Sequence, residues 1–142
     1  MNWWTLSLAS AVIWGFHYTM LEIAMKHISQ TTAFILTCVP AFVIALVFHQ
    51  QIFDDFRVFV DADVKIKVPI ILIMFTGAMA TMCLYFAMTL KSATHASLLE
   101  IAYPVFVTIF SLLILGVNHF SASTIIGALM ILSGSAVVII NN

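Results

Sequence analysis

Long apolar stretches, separated by short clusters of charge, organise this chain. Uncharged sequence runs from Met1 to Leu21, His27 to Phe53, Val68 to Leu90 and Ile101 to Asn142. A helix that crosses the hydrocarbon core needs about 20 mostly apolar residues, so each of the first three stretches holds one span and the last, the longest, holds two. The break within it falls at Gly116-Val117-Asn118-His119-Phe120-Ser121. There, turn-forming Gly and Asn precede a Ser suited to capping the next helix. The pattern predicts an all-α membrane protein, a bundle of five transmembrane helices forming a single domain over residues 1–142. The expected helices are Trp3 to Met25, Thr31 to His49, Val68 to Leu90, Thr94 to Leu115 and Ser123 to Ile140.

The longest connection, Gln50 to Lys67, mixes Ile52, Phe53, Phe56, Val58, Phe59 and Val60 with Asp54, Asp55, Arg57, Asp61 and Asp63. It is expected to lie along the bilayer surface, the plainer alternative being a solvated linker. The first apolar run has no Lys or Arg before it and is too long and aromatic for a secretory signal, so it is expected to stay as a helix. Trp3 and Trp4 suit the aromatic belt at its start.

Composition supports the same class. Hydrophobic residues make up 63% of the chain and charged residues 8%, whereas soluble domains hold about half and about a quarter. A net charge of −1 supplies no basic field, so no nucleic-acid partner is expected. Cys38 and Cys83 lie in apolar runs without a C-x-x-C spacing, which argues against a disulfide framework or structural zinc. Five spans place Arg57, Lys65 and Lys67 on one side and Lys26 and Lys91 on the other. This leaves orientation weakly specified.

Ionisable residues within spans are functional candidates by default. Glu22 precedes Lys26 by four residues, an order that favours helical pairing at the interface. His17 lies deeper, either as a packing histidine or in a patch with Trp14, Tyr18 and Glu22. Glu100 has no Lys or Arg at i±3 or i±4 and belongs to a polar stripe with Ser97, Tyr103, Pro104, Thr108 and Ser111, so it either faces a cavity or bonds a neighbouring helix. Pro104 lacks the N–H that would close a helical bond to the carbonyl of Glu100 and is the expected helix break. Thr76, Ala80, Cys83 and Ala87 form a row of small residues expected to pack within the chain, while Gly127 and Gly134 are candidate self-association contacts. No phosphate loop, nucleophile elbow or metal-ligand cluster is present, so neither an enzyme, a metal nor a cofactor is expected.

Together, Ala11-Val12-Ile13-Trp14-Gly15, Gly77 followed by Tyr85-Phe86-Ala87, the run from Ala93 to Phe106, Leu115-Gly116, Gly127 and Gly134 resemble the EamA-type drug/metabolite transporter superfamily. The likeness covers nearly the whole chain through individually weak motifs in the right order. One departure is Val117, where the family often has Glu after Leu-Gly. The resemblance implies one five-helix EamA-like repeat, two of which make a transporter with a central cavity and alternating access. A lone repeat then needs an inverted partner, as a homodimer or a heterodimer with a second repeat. The expected function is movement of a small organic metabolite or drug-like solute across the plasma (inner) membrane. Trp14, His17, Tyr18, Tyr85, Glu100 and Tyr103 would line the pocket. Glu100 would couple protons, since an apolar surrounding disfavours a charged carboxylate. The alternative is a non-transporting membrane subunit packed against a larger partner.

Overall fold

The computed structural model describes residues 2–140; Met1, Asn141 and Asn142, which the expected domain includes, lie outside the described residues. These residues form helices and turns only: α1 (Trp3–Ala24), α2 (Gln30–Val47), α3 (His49–Asp61), α4 (Val64–Leu90), α5 (Ala93–Glu100), α6 (Tyr103–Leu115) and α7 (Ala122–Ile140). Four segments have the length and composition to cross a membrane: α2, α4, the continuous stretch Ala93–Leu115 and α7. Helix α1 has 22 residues, about 33 Å at a 1.5 Å rise, which is long enough to cross. It is less apolar than the other four because Trp14, His17, Tyr18 and Glu22 interrupt its aliphatic run.

The ends of these helices follow from local chemistry. Ser29 Oγ accepts the Thr32 N–H at 3.2 Å to start α2, Ser92 Oγ accepts the His95 N–H at 3.3 Å to start α5, and Ser121 Oγ accepts the Thr124 N–H at 3.1 Å to start α7. Each hydroxyl satisfies a backbone donor that has no partner inside the first turn. Gly116 closes α6 with φ at +68°, a left-handed conformation that an L side chain resists. The N–H groups of Gly116 and Val117 return to the carbonyls of Leu112 and Ser111. Asn118 Oδ1 then accepts the Phe120 N–H at 2.8 Å, completing the turn.

Three expectations are corrected. The helix expected from Thr94 to Leu115 is in two pieces, α5 and α6, separated by Ile101 and Ala102; Pro104 has no N–H to carry the ladder across. Helix α4 begins at Val64 rather than Val68, taking Lys65 and Lys67 into its first turn. Charge is excluded from the hydrocarbon core, not from a helix that extends beyond it into water. Helix α1 ends at Ala24 rather than Met25, and a hydrogen-bonded turn carries the chain on through Lys26 and His27.

The chain gathers into two compact units, one taking in residues up to Thr19 and from Leu90 onward, the other running from Met20 to Thr89. In the first, α5 packs against α7, and the buried residues of these two helices are small: Ala93 and Ala96 in α5, Ser135 in α7. Small side chains let helices approach closely in lipid. In the second, Leu21, Ala33, Tyr85 and Met88 are buried. Thr76, Ala80 and Cys83 remain exposed, so the small row of α4 is not its packed face. The bulkier Tyr85 and Met88 are.

Candidate functional site

In the first unit, one face of α1 carries three rings in mutual contact. Trp14 and His17 meet edge to face, with ring centroids 5.3 Å apart. Trp14 and Tyr18, one helical turn apart, are 5.2 Å apart, and His17 and Tyr18 are 5.9 Å apart. Such spacings are within the range of favourable aromatic pairs. Residues three and four apart share a helix face, so the sequence order alone places these rings together.

Glu100 joins this cluster from the C-terminal end of α5. Tyr18 Oη donates to Glu100 Oε2 at 2.9 Å, in a half-buried position. A hydrogen bond to an ionised group is stronger than one between neutral partners. The break after Glu100 ends α5 at this residue, where Pro104 supplies no N–H to the Glu100 backbone carbonyl. Other hydroxyls of the stripe turn back on their own helix: Ser97 Oγ donates to the Thr94 carbonyl at 3.1 Å and Thr108 Oγ1 to the Pro104 carbonyl at 2.9 Å. Glu100 instead links two helices that are 82 residues apart at the bonded positions. His17 differs from Tyr18 in one respect: its Nε2 is buried without a hydrogen-bond partner among the described residues. Buried ring nitrogens usually have one.

The structure thus brings together Trp14, His17, Tyr18 and Glu100. Tyr103, at the start of α6, is 61% exposed. Tyr85 belongs to the second unit, where it is 1% exposed and donates to Thr37 Oγ1 at 3.4 Å, a long bond. A ring so fully covered packs the second unit, apart from the Trp14, His17, Tyr18 and Glu100 cluster of the first. Its partner Thr37 was not among the residues singled out from the sequence, since a lone Thr in an apolar helix carries no distinguishing signal.

Two further features of the first unit were only partly legible. Between α5 and α7 lies a groove of about 320 Å³ bordered by Leu98, Ile101, Met130, Ile131, Gly134 and Ser135. The Ser135 Oγ there is buried without a hydrogen-bond partner among the described residues. Gly127 and Gly134 have open space where a Cβ would stand. Among the described residues no group of His, Cys, Asp or Glu could hold a metal ion.

Long apolar helices and a polar cluster within them define a multi-pass integral membrane protein. The chain matches the EamA-like transporter family over residues 1–140, and it belongs to that family. Membership assigns it to proteins that move small solutes across membranes, and not to enzymes. No curated protein and no solved structure matches the chain.

Proposed function

We propose that the chain is a transporter subunit that carries a small organic metabolite or drug-like solute by alternating access, with Trp14, His17, Tyr18 and Glu100 as its solute-facing patch. The observation that carries this reading is the Tyr18–Glu100 hydrogen bond at 2.9 Å. It joins the aromatic face of α1 to the broken span Ala93–Leu115. Glu100 serves as the proton-coupling residue: when its carboxyl is protonated, Oε2 is a poorer acceptor and the Tyr18–Glu100 link between α1 and α5 weakens. The unpartnered Nε2 of His17 offers a second polar point beside it, and exposed Tyr103 extends the polar lining.

In this reading α1 crosses the membrane as a fifth span, and the functional unit pairs two five-helix repeats. The simplest form is an antiparallel homodimer: a Lys/Arg count of three on one side against two on the other lets the chain insert either way, so it can pair with its own inverted copy. Open space at Gly127 and Gly134 supports close approach of a partner helix along α7. A heterodimer with a separately encoded repeat meets the same requirement.

Reconstitution of the purified chain alone, with a panel of solutes and an imposed pH gradient, tests the proposal. The wild-type protein should accumulate at least one solute in a pH-dependent way. Glu100→Gln, which keeps shape and hydrogen-bonding capacity, should remove the pH dependence while leaving the fold intact. Wild-type pH dependence in this variant overturns the coupling role. A second reading, a non-transporting subunit packed on a larger membrane partner, draws on the extent of uncovered apolar surface, including Phe42, Ile73, Leu113 and Ile114. Recovery of a stoichiometric larger partner, together with no activity of the chain alone, selects it.

A further inference from the structure

Helix α3 has a use that solute transport does not absorb. Among its 13 residues none is buried. At about 100° per residue, Ile52, Phe53, Phe56, Phe59 and Val60 fall within an arc of about 120°. Asp54, Asp55, Arg57 and Asp61 occupy the opposite side, where Arg57 pairs with Asp54 at 3.5 Å. Within the apolar arc, the Phe56 and Phe59 rings are 6.2 Å apart, and Phe53 and Phe56 remain 64% and 60% exposed. This is a stripe that water disfavours and that the described chain does not cover.

The flanking chain determines what covers it. Only Phe48 separates α3 from α2, and only Ala62 and Asp63 separate it from α4; both neighbours are membrane spans. Both ends of α3 are therefore held at one membrane surface. Lys67, in the first turn of α4, donates from Nζ to the Val60 carbonyl at 2.9 Å. That contact places a cation at the C-terminal end of α3, where the helix dipole favours it, and ties the helix to the base of the next span.

We propose that α3 is an interfacial helix, its Ile52-Phe53-Phe56-Phe59-Val60 face seated in the headgroup–acyl boundary of the bilayer that the chain spans. Helices of this kind bury their apolar face about 5–10 Å into that boundary. Most such helices are rich in Lys and Arg on the polar face, but here three Asp oppose one Arg. The surface that fits is zwitterionic, and anionic lipid adds no attraction.

The test uses the full chain with Cys38 and Cys83 replaced by Ala, reconstituted in phosphatidylcholine vesicles and carrying single fluorophore-labelled cysteines at positions 51, 53, 54, 56 and 58. Quenching by brominated acyl chains should be about threefold or more stronger at 53 and 56 than at 51 and 54, as a helix half-sunk in the interface requires. Position 58 is the sharpest arm: Val58 is apolar but lies on the Asp side, so its label should follow the aqueous quencher iodide. Uniform quenching by iodide at all five positions overturns the proposal in favour of a solvated linker. Protection of 53 and 56 from both quenchers overturns it in favour of a protein partner. Replacing part of the phosphatidylcholine with phosphatidylglycerol should not deepen the labels; deeper seating overturns the zwitterionic preference.

Discussion

The end of α5 places a carboxylate within an apolar span, whereas α3 places phenylalanines in the most heavily charged part of the chain. Both are mismatches between a side chain and its expected solvent, and they are handled differently. Glu100 finds a donor inside the protein, the Tyr18 hydroxyl. The apolar face of α3 has no cover inside the described chain and depends on what lies outside it. A mismatch satisfied internally can respond to a proton or a solute. One satisfied externally responds to the lipid.

The largest effect that would break this contrast is at the internal site. Tyr18→Phe and Glu100→Ala, made singly and together, should show a coupling of about 1.5–3 kcal/mol in thermal unfolding, the range for a hydrogen bond to a charged group. Simple additivity would mean that the bond contributes nothing in the membrane. Phe56→Asp should release α3 from the bilayer, at about 1–2 kcal/mol for the lost apolar contact. It should leave the pH dependence of solute uptake unchanged, which separates the two regions by function. Loss of that pH dependence would show them coupled.

A control away from both is Gly116→Ala. At φ +68° an added Cβ costs about 1 kcal/mol, although open space surrounds the position; denaturation should therefore shift without altering either readout. The smallest expected effect is that of Lys67→Gln. It removes an exposed cation from the end of α3, worth about 0.5 kcal/mol, and should appear as faster amide exchange in the last turn of α3 alone.

The helices were largely legible in the sequence because the constraint that forms them, an uninterrupted run long enough for the bilayer, is one-dimensional. Gly116 and Ser121 were readable for the same reason, since each acts on backbone groups within a few residues. Partnership was harder. Trp14, His17 and Tyr18 share a helix face and could be grouped from spacing, but the donor to Glu100 is 82 residues away. Nothing local distinguishes Tyr18 from Tyr85 as that donor. Exposure decides it: Tyr85 is folded into the second unit with Thr37, a contact between residues 48 positions apart. The helical state of α3 was missed because Asp-rich sequence between spans reads as a connection, although its apolar residues recur at helical spacing.

The turn between α6 and α7 bears on how the chain enters the membrane during synthesis. From Gly116 to Ser121 it carries no charge, and every Lys and Arg of the protein lies between Lys26 and Lys91. Cationic loops are what an insertion machinery retains on the cytoplasmic side. The last hairpin supplies no such signal, so its direction is inherited from Lys91 and the cations of α3 and α4. Its self-contained turn lets it follow either way. One lysine at Asn118 would raise the count on the Arg57, Lys65 and Lys67 side from three to four against the two of Lys26 and Lys91. A population of mixed orientation would become uniform at the cost of one turn hydrogen bond, that from the Phe120 N–H to Asn118 Oδ1.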